Sequence, residues 1–267
     1  MATPAYPLGF LYPGYAAEDE YPRLAGMLPV PVTAEVVHTS LGENGDVHTI
    51  QALRDMGEAR RLAAGAAALR ERGVAAVIWA CTSGSFVYGW RGARQQADAL
   101  SRELGVPASS TSLAFVNAVR AIGAGRVAVA ATYPADVAAC FASFLAAAGV
   151  GVCGMAAAGI MTATEAGHLD AEAVVRMVAE ADRPDADAVI VPDTALHTIG
   201  ALPRLEAIVR KPVLTANQVS MWEALQLTGL GGVRAGAGRL FAGGGAFMAA
   251  VRAGSGQDSG DERQGES

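Results

Sequence analysis

Residues 76–85 read Ala-Val-Ile-Trp-Ala-Cys-Thr-Ser-Gly-Ser, and residues 188–196 read Ala-Val-Ile-Val-Pro-Asp-Thr-Ala-Leu. Each is a short apolar run that stops at a polar turn. That is the pattern of a buried strand delivering its C-terminal end to a loop. The first run ends at Cys81, Thr82, Ser83 and Gly84. The second sets Asp193 where the thiol stood and Thr194 where Thr82 stood. A thiol and a carboxylate at matching strand ends are the raw material of an acid–base pair, or of a nucleophile with a proton partner.

Outward from these two runs, strands and helices alternate. Strands are expected at Leu8–Tyr12, Thr33–His38, Val74–Ala80, Val127–Ala131, Val150–Gly154, Ala188–Val191 and Val213–Thr215. Helices are expected over Thr49–Glu71, Ala93–Leu104, Ser112–Ile122, Ala135–Ala148, Asp170–Glu180, Leu202–Ile208 and Gln218–Leu227. Such alternation predicts parallel sheets covered by helices on both faces. A second internal match links Thr111–Gly123 with Asn217–Gly229: each follows a Val-Pro or Lys-Pro step, and each ends in a glycine that stops a helix. The offset between these glycines is close to that between Cys81 and Asp193. The chain therefore reads as an α/β fold of two pseudo-symmetric subdomains. Each is a mainly parallel sheet flanked by helices, and the active site lies in the cleft between them. The expected division is 1–118 with 230–250 for the first subdomain and 119–229 for the second, followed by a disordered polar tail over 254–267.

Apolar residues make up 52% of the 267, enough for a substantial core, and the formal charge is −6 with no basic run. Nucleic acid and anionic membrane are not expected partners, because both need clustered Lys and Arg. The apolar stretches near 127–131 and 137–150 are broken by Thr, Asp and Gly and are too short to span a bilayer. The opening Met-Ala-Thr-Pro-Ala-Tyr-Pro has neither a basic n-region nor an h-region, so no secretory leader is expected. Cysteines 81, 140 and 153 form no disulfide framework, and a cytoplasmic protein with reduced thiols is the simplest expectation. His38, His48 and His168 show no metal-ligand spacing with any cysteine pair. The glycines between 229 and 245 spell no phosphate-binding fingerprint. Association into a homo-oligomer stays open.

Four pieces, Leu8–Gly14, Ala80–Ser85, Ala131–Pro134 and Asn217–Leu225, resemble the aspartate/glutamate racemase superfamily. Within it, the chain is most similar to the branch of maleate cis–trans isomerases and arylmalonate decarboxylases, over roughly residues 8–250. The resemblance implies an enzyme without metal or organic cofactor that acts on a small carboxylic acid. It implies Cys81 and Asp193 as the catalytic pair. Thr82, Ser83, Tyr133 and Thr194 are implied as carboxylate-binding residues, with Pro13 and Gly14 at the first turn. The racemases and isomerases carry cysteine at both strand ends, and the decarboxylases only at the second; Cys81 with Asp193 matches neither pattern. Pro13-Gly14-Tyr15 and Thr162-Ala163-Thr164 supply no amide where maleate isomerases use asparagine. The leading expectation is isomerisation of a small carboxylic acid of the maleate type. The alternatives are decarboxylation through an enediolate that Cys81 protonates, and amino-acid or hydantoin racemisation. An alternative of another class is a non-catalytic carboxylate-binding paralogue.

Local chemistry adds three expectations. The strand-to-helix turn lowers the Cys81 pKa through unpaired backbone N–H groups, while a charged Asp193 nearby raises it. Asp193 also reads as a helix N-cap, as does Asn217, with Trp222 as a core anchor. Cys140 and Cys153 read as packing residues.

Overall fold

A computed structural model describes residues 5–232 and 236–242; the expected tail over 254–267 lies outside the described residues. The first half runs β1 (Tyr6–Pro13), α1 (Glu20–Met27), β2 (Val32–Thr39), α2 (Ile50–Met56), α3 (Ala59–Glu71), β3 (Ala76–Trp79), α4 (Ser83–Phe86), α5 (Gly89–Leu104), β4 (Ala108–Ser110) and α6 (Thr111–Ala121). The second runs β5 (Arg126–Ala131), α7 (Ala135–Ala147), β6 (Gly151–Ala157), α8 (Ala163–Gly167), α9 (Ala171–Ala181), β7 (Ala188–Val191), α10 (Leu202–Val209), β8 (Val213–Thr215) and α11 (Ala216–Leu227). A short α12 (Arg239–Ala242) follows.

Two four-stranded sheets result, in the orders β2-β1-β3-β4 and β6-β5-β7-β8, and every pairing is parallel. The orders are the same once the second set is renumbered, so the fold is two pseudo-symmetric α/β units. In each, one central strand, β3 or β7, is buried along its whole length, as its unbroken apolar run requires.

The repeated helices meet each other. Thr111 Oγ1 of α6 and Ser220 Oγ of α11 lie 2.7 Å apart, and Glu223 Oε1 of α11 accepts from Ser109 Oγ and Asn117 Nδ2, both at 2.8 Å. α11 also packs on β3 and β4, so it covers the first sheet although it follows the second. This explains why it has no polar stripe: Asn217, Gln218, Ser220, Glu223 and Gln226 are all buried. Its N-cap is Thr215, whose N–H donates to Gln218 Oε1 at 3.1 Å, rather than the expected Asn217. Of the 230–250 stretch, expected with the first half, residues 237 and 239 hydrogen-bond to α11 and α10: Gln218 Nε2 donates to Ala237 O and the Arg239 N–H to Glu206. An aromatic cluster also spans the halves, with Phe86 tilted against Phe141 and Phe115 edge-on to it at centroid distances of 5.1 and 5.9 Å.

The expected continuous helix over Thr49–Glu71 is broken after Met56. A Cβ on Gly57 would lie 2.2 Å from Gly84 O, so the chain passes against the α4 turn there and only glycine fits. The break frees α2, capped by Thr49 Oγ1 accepting from Ala52 N, to aim Leu53 and Met56 at the cleft. Helix α1 also escapes sequence pattern, since Pro22 interrupts it; proline is tolerated there because it falls in the first turn.

Candidate active site

Five segments meet at the C-terminal ends of the strands, where parallel sheets place ligands. The end of β1 brings Tyr12, Pro13, Gly14 and Tyr15; the segment leading into α2 brings Leu41, Asp46 and His48, with Leu53 and Met56 behind. The end of β3 brings Cys81 and Ser83, the start of α8 brings Ala163 and Thr164, and the end of β7 brings Asp193, Thr194 and Ala195. They enclose a cavity of about 50 Å³. At roughly 10–15 Å³ per water position, that space suits a small acid.

Cys81 sits two residues past β3 and is 3% exposed. Its Sγ accepts from the Gly84 N–H at 3.2 Å and lies 3.8 Å from both Ser83 Oγ and Met56 Sδ. A Cβ on Gly84 would crowd Sγ at 3.1 Å, so the glycine is what lets the N–H approach. The expected lowering of the thiol pKa does not occur. Burial pushes it up to about 11; the Gly84 N–H and Ser83 hydroxyl oppose this, and the Asp193 charge adds to it. Helix α4 is a single turn, too short to offset desolvation.

Asp193 sits two residues past β7 and is 4% exposed. The residues after it form turns, so it caps an Asx turn and not a helix: Oδ1 accepts from Ala195 N at 2.9 Å. Oδ2 accepts from the Thr132 hydroxyl at the end of β5. Cys81 and Asp193 thus face one cavity, from opposite sheets.

Of the expected carboxylate-binding residues, Ser83 and Thr194 line the cavity with Pro13 and Gly14, while Thr82 and Tyr133 do not. Thr82 Oγ1 is buried without a hydrogen-bond partner, and its carbonyl accepts from Ser112 Oγ at 2.7 Å. The Tyr133 hydroxyl donates to Pro192 O at 2.7 Å, bracing the loop that carries Asp193. Burial first, then the nearby Asp193 charge, raises the Tyr133 pKa well above normal.

Several contributors had no sequence expectation as site residues. Tyr12 Oη donates to Thr194 O at 3.0 Å, tying the end of β1 to the β7 loop. Buried Glu20 of α1 does the same from below, accepting from Thr198 N and Ile199 N at 2.8 and 2.7 Å and from Asn217 Nδ2 at 2.9 Å. Burial raises its pKa against those three donors. Thr132 precedes Tyr133 in the Ala131–Pro134 motif, where a hydroxyl at a strand end was the available signal. Asp46 grips Thr164 through its N–H at 2.8 Å and its hydroxyl at 2.6 Å. Burial raises the Asp46 carboxyl, but the two Thr164 bonds prevail and hold it below the usual carboxylate range. Nothing in the local sequence of 46–48 announces these partners more than a hundred residues away. Among the described residues no group of three or more His, Cys, Asp or Glu is placed to hold a metal ion, and no helix is long and apolar enough to cross a membrane.

Paired parallel α/β units, with the site where their strand ends face each other, define the fold of the aspartate/glutamate racemase superfamily. The arylmalonate decarboxylase family model matches residues 50–241, and the chain belongs to that family. The arylmalonate decarboxylase of Bordetella bronchiseptica is 33% identical over 179 residues, covering 65% of this chain and 73% of that one. A liganded double mutant of arylmalonate decarboxylase superposes with a TM-score of 0.77 at 28% identity, covering 89% of this chain and 99% of that one. The maleate isomerase of Pseudomonas putida shares the fold, with a TM-score of 0.83 at 22% identity over 91% and 100% of the two chains. The protein is therefore an enzyme of the arylmalonate decarboxylase family.

Proposed function

We propose that the protein decarboxylates a small malonate-type diacid without a cofactor, with Cys81 giving the proton to the α-carbon. The observation that carries this reading is the state of the thiol: buried in the shared cavity with its pKa raised to about 11, it holds its proton near neutral pH. A thiol in that state is an acid, whereas a nucleophile must be a thiolate. The bond between the α-carbon and one carboxylate breaks, CO2 leaves, and the electron pair stays on the substrate as an enediolate. The Cys81 proton moves to the α-carbon, and the resulting thiolate takes a proton from water. Ser83 and Thr194 supply hydroxyl donors to the enediolate oxygens, where preorganised donors contribute most. The Asp193 charge helps hold Cys81 in its acid form. The 33% identical decarboxylase relative supports the same reaction class.

Isomerisation of a maleate-type acid is the second reading, favoured by the position of the thiol at the first-half strand end. There Cys81 as thiolate adds to the alkene, the former double bond rotates, the thiolate leaves, and Asp193 handles the proton. Two measurements separate the readings. In deuterated water, malonates bearing hydrogen, methyl or phenyl yield a monoacid with solvent deuterium at the α-carbon; failure to release CO2 from any of them removes the decarboxylase reading. For a proton donor, the rate is level through neutral pH and falls as pH rises through about 11. For a thiolate nucleophile it climbs about tenfold per pH unit up to that point.

A further inference from the structure

The cavity is short of positive charge. Asp46 and Asp193 line it, and a malonate-type substrate brings two more carboxylates. Among the described lining residues, one side chain can become a cation: His48. The residue is 4% exposed, and its ring sits edge-on to Tyr133, with centroids 5.1 Å apart. Its backbone N–H donates to Met161 O at 2.7 Å, and Nδ1 lies 2.9 Å from Ile160 O. A carbonyl only accepts, so Nδ1 carries a proton in every state of the ring. Nε2 has no hydrogen-bond partner among the described residues. The ring is therefore fixed by the opposite half of the molecule, and Nε2 is its one free polar atom.

We propose that protonated His48 is the cationic anchor for the carboxylate that the substrate retains, Nε2–H donating to it across the cavity. The inference rests on the dicarboxylate substrate of the proposed function. It also assigns a purpose to the contact between residues 46–48 and 160–164, which joins the halves through the Val47–Thr162 bridge and the Asp46–Thr164 bonds. Titratable groups lining the cavity with the ring are Asp46 on its own segment, Tyr12 of β1 and Tyr15 beyond it, Cys81 past β3 and Asp193 past β7; Tyr133, past β5, packs edge-on to the ring, and Glu165 is exposed on α8. Burial holds the Cys81, Tyr12 and Tyr133 protons through the neutral range, while the Thr164 bonds keep Asp46 ionised.

Calorimetric titration with malonate tests the anchor, between about pH 5.5 and 8.5 and in two buffers of different protonation enthalpy. The wild-type protein takes up close to one proton per malonate at the alkaline end, and affinity falls as pH rises. His48→Asn keeps a donor for Ile160 O but lacks Nε2; His48→Gln is the second variant. Each lowers affinity about 10–100-fold at the acid end and abolishes the pH dependence, the scale of one charged hydrogen bond. Unchanged affinity and slope in a folded variant overturn the anchor, as does malonate binding without proton uptake, or no malonate binding, by the wild type. If both variants unfold, proton uptake by the wild type decides alone. Malonate binding with proton uptake, but no CO2 release from malonate, methylmalonate or phenylmalonate, sustains His48 and sinks the decarboxylase reading. CO2 release with an unchanged KM in His48→Asn does the reverse.

Discussion

Past the end of β3 the chain makes one turn of helix; past the end of β7 it makes an Asx turn and stays irregular until Leu202. Both ends deliver their polar residue two positions beyond the strand, into the same cavity. Their surroundings differ in donor count. Asp193 has a donor on each oxygen, Ala195 N–H and the Thr132 hydroxyl. Cys81 has one N–H, from Gly84, and otherwise soft or distant contacts. The Gly84 and Ser83 donors do not offset the loss of water, so burial raises the thiol pKa. Pseudo-symmetry sets where a group sits, and the local turn sets its protonation.

The largest test of that contrast is Cys81→Ala. It is expected to cost 10³-fold or more in kcat/KM, about 4 kcal/mol, with an unchanged melting temperature. Retention of a tenth of the wild-type rate would show that the thiol is not the proton donor. Next is Asp193→Asn, which keeps the Asx turn but removes the charge. A loss on the order of 10²-fold is expected, together with a thiol titration, followed by thiolate absorbance, that moves below about 11. A wild-type rate and titration would reduce Asp193 to a turn former, since Asn and Asp both make this turn. Asp193→Cys restores two thiols and is expected to redirect activity towards racemase-like α-proton exchange.

Glu20→Ala probes how the first half props the β7 loop. It strands the Thr198 and Ile199 N–H groups and leaves the Asn217 amide only its carbonyl partners Thr194 O and Leu196 O, so a loss of about 2–3 kcal/mol is expected in urea unfolding. Burial raises the Glu20 pKa, so its protonated form is the one the fold favours. Wild-type stability therefore gains as pH falls through the folded pKa, and Glu20→Ala is expected to flatten that gain. The smallest effect belongs to Tyr133→Phe, which removes one hydrogen bond to Pro192 O: about 1 kcal/mol, or roughly fivefold in rate. A much larger loss would put the Tyr133 hydroxyl on the substrate itself.

The strand ends were readable because a buried parallel strand must be a continuous apolar run and must end in a polar turn. Cys81 and Asp193 stand out against such runs with no knowledge of partners. The Gly57 break was not readable. Ala, Arg and Leu on either side favour helix, and the α4 backbone that leaves room only for glycine at 57, where the chain turns before an extended Glu58, comes from a distant part of the sequence. His48 was legible only as a histidine without metal spacing. Its place in the cavity depends on Ile160 and Met161, which come from the opposite half.

By itself the sequence determined the two-unit α/β architecture, the matching strand ends and the pair of reactive groups on them. Each of these follows from local patterning, which needs no knowledge of what packs where. Tertiary structure alone decided that burial raises the Cys81 pKa, that Asp193 is held by Thr132, and that His48 lines the cavity as the one histidine among the described lining residues. Protonation and placement depend on desolvation and on donors brought in from distant parts of the chain, and neither is written in the residues that titrate.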